Sequence, residues 1–146
     1  MATPRVGGRG IDAALLLVRI AGGGLLLPHG LGKLFGWMGG PGLDGFAAEL
    51  AGFGLPSTAP LPLLLALLQT LGGLAVLLGV GTRIAAVLTT GFIAVTAWIA
   101  LGHGWFWMHG GVEYPAMWLL CLLALAFAGG GRWSIDGLRR RAGGAV

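Results

Sequence analysis

The chain has 146 residues, of which 56% are hydrophobic and only 10% are charged, against about 25% charged residues in an ordinary soluble domain. So little charge excludes a soluble globular protein, and the length excludes more than one domain of ordinary size. The net charge of +4 does not indicate a nucleic-acid partner, because the basic residues flank apolar segments and form no continuous patch with interleaved aromatic residues.

Two long runs without any Asp, Glu, Lys or Arg indicate membrane-spanning helices. They extend over residues 50–82 and 84–112, and each exceeds the roughly 20 residues that a helix needs to cross a bilayer. We therefore expect an all-α integral membrane protein, an antiparallel four-helix transmembrane bundle in contact with the lipid bilayer. Its spans are predicted at about residues 11–35, 61–80, 84–101 and 114–128.

The connecting segments predict how these spans are arranged. Residues 36–59 are rich in Gly and Pro, which favours a loop. Apolar residues nevertheless recur there at helical spacing: Leu43, Phe46, Ala47, Leu50 and Phe53. This pattern predicts a short interfacial helix between spans 1 and 2. The tight turn at Gly81, Thr82 and Arg83 predicts that spans 2 and 3 are antiparallel neighbours.

The distribution of basic residues predicts the orientation in the membrane. Lys33 is the only basic residue on one side of the predicted bundle. Seven arginines lie on the other side: Arg5, Arg9, Arg83, Arg132, Arg139, Arg140 and Arg141. By the positive-inside rule, the N-terminus (1–10) and a basic tail (137–146) are both predicted to be cytoplasmic.

Arg19 is a candidate functional residue because it lies inside the first predicted span. It is eight residues past Ile11, hence about 12 Å along the helix, and an arginine at such depth costs about 2.5–3.5 kcal/mol on insertion scales. We expect a partner for its charge, and Gln69 lies at a comparable depth in the second span. The alternative is that Arg19 extends to the headgroups and has only a packing role.

A second candidate group lies at the opposite, outer end. His29 and Lys33 are four residues apart on one helix face, and His103, His109 and Glu113 lie in the loop at the same level. We predict that Lys33 and Glu113 form one polar cluster. Such a group can move protons, hold a quinone headgroup or bind a metal, or it can simply be solvated at the interface. The spacing selects none of these, so we assign no metal site.

The candidate ligand-binding residues are therefore Arg19, His29, Lys33, Gln69, His103 and Glu113, and no catalytic residue is assigned. The single cysteine, Cys121, allows neither an intramolecular disulfide nor a thiol pair. In the segment that follows the fourth span, Ser134 or Asp136 is predicted to cap a short surface helix.

With these residues assembled, the chain resembles the DoxX family of small bacterial and archaeal membrane proteins over residues 15–136. The resemblance rests on Arg19 followed by GLGKL at 30–34, GLP at 54–56, QTLGG at 69–73, LGVGTR at 78–83, GGVEYP at 110–115 and GGGRWSID at 129–136. The chain departs from the family at Gln69, where a glutamate is frequent. Glutamine keeps hydrogen bonding but cannot exchange a proton.

The resemblance implies a four-helix scaffold in a cytoplasmic (inner) membrane, associated with quinone-linked, sulfur or oxidative-stress redox systems. Our first hypothesis is a membrane subunit that binds a quinone or a similar lipophile between its helices, beside partner subunits of an oxidoreductase and without its own redox centre. The alternative is a non-enzymatic scaffold or assembly protein that docks a cytoplasmic partner through its basic tail. The many glycines also suit homo-oligomerisation through helix contacts.

Overall fold

The computed structural model describes residues 8–143. Within that range the chain is helical and has no strand, which confirms the predicted all-α class. The seven α-helices are α1 (Gly8–Gly22), α2 (Leu27–Phe35), α3 (Gly42–Gly52), α4 (Leu61–Leu78), α5 (Thr82–Leu101), α6 (Glu113–Ala128) and α7 (Ile135–Gly143). The predicted N-terminal segment and basic tail lie partly outside the described residues, and α7 shows that most of the tail is helical.

Three helical stretches are long and apolar enough to cross a membrane. They are Gly8–Phe35, which joins α1 and α2 through the 3-10 turn Gly24–Leu26, then α4 and α5. The fourth predicted span, α6, has 16 residues, about 24 Å at the helical rise, which is less than the roughly 30 Å of a bilayer core. The structure therefore describes a multi-pass membrane protein whose last apolar helix is short.

The apolar helices pack around one core. Helix α5 lies against α4 and α6, and α1 also contacts both α4 and α6, so the predicted contact between the second and third spans is confirmed. The core is built from fully buried side chains of these elements: Leu26, Val76, Ile93, Leu122 and Leu125. Helix backbones approach closely at Gly23, where a Cβ would lie 2.6 Å from the carbonyl oxygen of Gly73, as is typical of small residues between membrane helices.

The predicted short helix between the first two spans is present as α3. It packs against α2 and α4, and its Phe46 and Leu50 are buried against Ala66. Apolar burial on one side of α3 explains why a segment so rich in Gly and Pro still forms a helix. Helix α3 therefore packs beside Lys33, whose ammonium lies near the Phe46 ring.

Candidate functional site

Arg19 is 3% exposed, and backbone carbonyls surround its guanidinium group. Its Nε donates to Val76 O at 3.1 Å, and Nη1 donates to Trp133 O at 2.8 Å and to Gly130 O at 3.4 Å. Its Nη2 donates to the carbonyl of Leu77. Backbone carbonyl groups therefore stabilise the charge of Arg19. The expected partner, Gln69, accepts a hydrogen bond from Lys33 instead.

The end of α4 explains why a cation is bound there. The last carbonyls of a helix lack partners within the helix and form the negative end of its dipole. Helix α4 stops at Gly79, which has a left-handed φ of 72°. The carbonyl of Leu77 is therefore open to Arg19, while that of Val76 accepts both Arg19 and, at 3.2 Å, the N–H of Gly79. We therefore assign Arg19 a role in joining α1 to α4 and to the loop before α7.

Asp136 completes this polar end of the molecule. Its carboxylate accepts hydrogen bonds from the backbone N–H of Gly81 (2.9 Å), the backbone N–H of Thr82 (2.8 Å) and the Thr82 hydroxyl (2.7 Å). Burial alone would raise the pKa of Asp136, but these hydrogen bonds and the positive charge of Arg140 outweigh it, so the pKa is lowered. Asp136 thus caps α5 from a different helix.

Of the two predicted caps of the surface helix, Ser134 is the one that caps α7. Its Oγ accepts a hydrogen bond from the N–H of Gly137 at 3.0 Å, the N3 position of a helix that begins at Ile135. Nearby, Asp12 of α1 accepts a hydrogen bond from the N–H of Arg132 at 2.8 Å. Together, Arg19, Asp136, Ser134 and Asp12 fix this end, which we call the Arg19 end.

A cavity of about 740 Å³ lies towards the opposite end of the helices. Helices α2 to α6 and the loop before α6 form its walls, which are mostly leucine, phenylalanine and other apolar side chains. Polar and aromatic groups are interspersed among them: Lys33, Glu49, Thr96, His103, Trp107, Tyr114 and Trp118. A mostly apolar cavity with a few polar groups is typical of a site for a small organic ligand.

Lys33 is the cation of this cavity. Its ammonium donates a hydrogen bond to Oε1 of Gln69 at 3.0 Å and lies 5.1 Å from the centre of the Phe46 ring, a favourable cation–π distance. Gln69 is buried in α4. Because an ammonium group has three N–H donors and Gln69 uses one, Lys33 retains donors for a ligand.

The predicted pairing of Lys33 with Glu113 is wrong. Glu113 instead accepts a hydrogen bond from the backbone N–H of Trp107 at 3.2 Å, within its own loop. Glu113 begins α6, so its backbone places the carboxylate beside this loop.

The three predicted histidines lie in different surroundings. His103 lines the cavity. His29 lies edge-on to the Trp118 ring, with ring centres 5.2 Å apart, and is not a lining residue. His109 is exposed in the 3-10 turn Trp107–His109. Among the described residues, no three His, Cys, Asp or Glu side chains come together as a metal site would require.

Sequence analysis missed several cavity residues, above all Glu49, Tyr114 and Trp118. Glu49 follows Phe46 by three residues on α3, and residues so spaced share one helix face, so the predicted amphipathic helix contained the necessary signal. Trp118 lies within α6, where its indole N–H donates to the carbonyl of Ala21 at 3.0 Å. Nothing in the local sequence indicates that contact between helices distant in sequence.

These helices and this cavity define a multi-pass, all-helical membrane protein with a mostly apolar cavity. Residues 14–110, more than half of the chain, match the DoxX family. The protein belongs to the DoxX family. Comparison with curated proteins and with solved structures gave no match.

Proposed function

We propose that this DoxX protein is a membrane subunit of a redox-linked system that binds a quinone, or a lipophile of similar shape, in the 740 Å³ cavity. The observation that supports this most directly is the cavity itself, with apolar walls and the Lys33 ammonium among its lining groups. The redox setting rests on the family, whose members are associated with quinone-linked, sulfur and oxidative-stress systems.

The polar lining groups suit the headgroup of a quinone. Lys33 and His103 supply N–H donors for a carbonyl oxygen, and Glu49 supplies an acceptor for the hydroxyl of a quinol. Tyr114 and Trp118 offer flat rings against which a quinone ring can pack. Of the sequence candidates, we therefore retain Lys33 and His103 as ligand contacts, with Gln69 orienting Lys33.

The apolar part of the cavity suits a hydrocarbon tail. Leu88 and Val95 of α5 line the cavity and are 55% and 48% exposed, so the cavity is open along α5 where lipid would surround the helix. A prenyl or acyl chain can leave the site there without entering water. This arrangement favours a ligand that arrives from the bilayer.

The proposal includes a topology of four antiparallel spans in a bacterial or archaeal cytoplasmic membrane, with both termini cytoplasmic. The exposed arginines of the Arg19 end support that orientation. We assign this chain the binding of the lipophile, and we assign electron transfer to partner subunits of an oxidoreductase.

A cavity-filling variant tests ligand binding. Gly91 lines the cavity, and a Cβ there would meet no atom within 4 Å, so Gly91→Leu fills the site without a backbone clash. Ala94→Leu is the matched control, since Ala94 is exposed on the same helix and does not line the cavity. We expect organic extracts of purified wild type and Ala94→Leu to contain a quinone-like molecule, and extracts of Gly91→Leu to lack it.

Wild-type protein free of any such molecule, even after ubiquinone or menaquinone is supplied, would reject the proposal. The alternative of a scaffold or assembly protein would then stand. The exposed arginines of α7, among them Arg139 and Arg140, favour an acidic cytoplasmic partner in that case.

A further inference from the structure

A second cavity, of about 570 Å³, lies at the Arg19 end and shares no lining residue with the proposed quinone site. Its walls come from the start of α5, the glycines after α6 and one turn of α7, including Arg83, Ile84, Gly129, Gly130 and Arg140. None of these residues lines the proposed quinone site. Two arginines from different helices therefore face one open cavity.

Both guanidinium groups remain available to a ligand, although the Asp136 carboxylate attracts Arg140 electrostatically. In residues 8–143, Arg83 and Arg140 form no ion pair, and no hydrogen bond of either side chain is found. The Asp136 carboxylate borders the same cavity, but three hydrogen bonds from Gly81 and Thr82 already occupy it. These bonds use the backbone N–H groups of Gly81 and Thr82, so the two arginines supply the positive charge that an anion in the cavity would meet.

The loop after α6 positions Arg83. A Cβ on Gly129 would lie 3.5 Å from Nε of Arg83, so the arginine side chain lies along the glycine backbone. Gly129 has a φ of 77°, a value that favours glycine. The site thus has a defined loop on one side and helix α7 on the other.

The surroundings of the cavity favour a lipid as the source of the anion. Ile84 lines the cavity and is 71% exposed, and Phe127, two residues before Gly129, is 80% exposed. Exposed apolar side chains next to exposed arginines are what the boundary between acyl chains and headgroups requires. Clustered basic residues at this boundary attract anionic headgroups.

We propose that Arg83 and Arg140 bind the phosphate of an anionic phospholipid, with its acyl chains against Ile84 and the neighbouring apolar surface of α5 and α6. The lipid would join α5, the α6–α7 loop and α7 at the membrane surface. This site is separate from the quinone cavity, so either proposal can fail without the other.

The test measures binding of phosphatidylglycerol to delipidated protein in detergent by native mass spectrometry, with phosphatidylcholine of the same acyl chains as the neutral lipid. The variants are Arg83→Gln, Arg140→Gln and the double variant. Arg139→Gln is the matched control, because it removes the same charge from the adjacent position of α7 and Arg139 does not line the cavity. Each cavity arginine removed should weaken phosphatidylglycerol binding about fivefold, and the double variant about 25-fold.

Wild type and Arg139→Gln should both prefer phosphatidylglycerol to phosphatidylcholine. If Arg139→Gln weakened phosphatidylglycerol binding as much as Arg140→Gln, the proposal would be overturned. The lipid would then be attracted by the net positive charge of α7 and not by a specific site. The proposal would also be overturned if millimolar inorganic phosphate protected the protein from thermal unfolding to the same extent as phosphatidylglycerol does. The site would then bind a soluble anion. If the double variant does not fold, the two single variants at exposed positions decide the outcome.

Discussion

The Lys33 ammonium donates a 3.0 Å hydrogen bond to Oε1 of Gln69, and this bond joins the first apolar stretch to α4 beside the larger cavity. A glutamate in place of Gln69 would neutralise the lysine. Because the amide of Gln69 is neutral, it does not offset the positive charge of Lys33. That charge favours a ligand with a carbonyl or another electron-rich oxygen.

The first prediction concerns this pair. Gln69→Leu removes the acceptor for Lys33 in a surrounding of low polarity and should cost about 1–2 kcal/mol of unfolding free energy. Gln69→Glu should retain the wild-type stability, because a carboxylate also accepts from the ammonium. Unfolding of detergent-solubilised protein by increasing mole fractions of sodium dodecyl sulfate measures both. Equal stability of Gln69→Leu and wild type would contradict the contact.

The second prediction separates folding from ligand binding at Arg19. Arg19→Leu should insert at least as well as wild type because it removes a charge from the span, yet it should lower the unfolding free energy by about 2–3 kcal/mol because carbonyls lose a charged donor. Arg19→Lys should not restore it, since one ammonium cannot reproduce the planar fork of a guanidinium group. Quinone content should be unchanged in both variants, as Arg19 does not line the cavity. If Arg19→Leu were as stable as wild type but no longer bound the lipophile, the prediction would be wrong and Arg19 would be a ligand-binding residue.

The third prediction is a pH dependence at Asp136. Its pKa in the folded protein is lowered from the usual 3.8, so the ionised carboxylate stabilises the fold above that pH. This stabilisation is lost as the pH falls below 3.8 and through the folded-state pKa. Thermal unfolding at pH 7 and at pH 3 should show a larger drop for wild type than for Asp136→Asn. Asp44→Asn, an exposed carboxylate of α3, serves as the control and should behave like wild type.

The fourth prediction concerns orientation. A reporter fused after Val146 should behave as cytoplasmic, because arginines are concentrated at the Arg19 end. A second reporter inserted in the 102–110 loop should behave as external. A periplasmic signal from the C-terminal fusion would reverse the topology and with it the leaflet of the proposed phospholipid.

The positions of the helices and of their polar ends could be predicted from the sequence, because they depend on local features, the length of each hydrophobic run and the turn residues that follow it. It was insufficient for side-chain partners. Gln69 and Arg19 were expected at similar depth, but Arg19 instead meets the open carbonyls at the end of α4. Lys33 was expected beside Glu113, whose carboxylate is used by the N–H of Trp107. The first error is one of depth, because Val76 and Leu77 lie seven and eight residues past Gln69 on α4, about 10–12 Å at the helical rise. The second arose because residue counting leaves rotation about the helix axis undetermined.

The bonds of Arg19 also constrain how the chain is made. Its acceptors lie 57, 58, 111 and 114 positions further along, in Val76, Leu77, Gly130 and Trp133. During synthesis, the first span therefore leaves the ribosome before the carbonyl groups that bind Arg19 in the folded protein have been made. Arg19 must extend to the headgroups or remain near water until α4 and then the last loop have been made. The burial of Arg19 is complete only when the loop with Gly130 and Trp133 has been made and has packed against it.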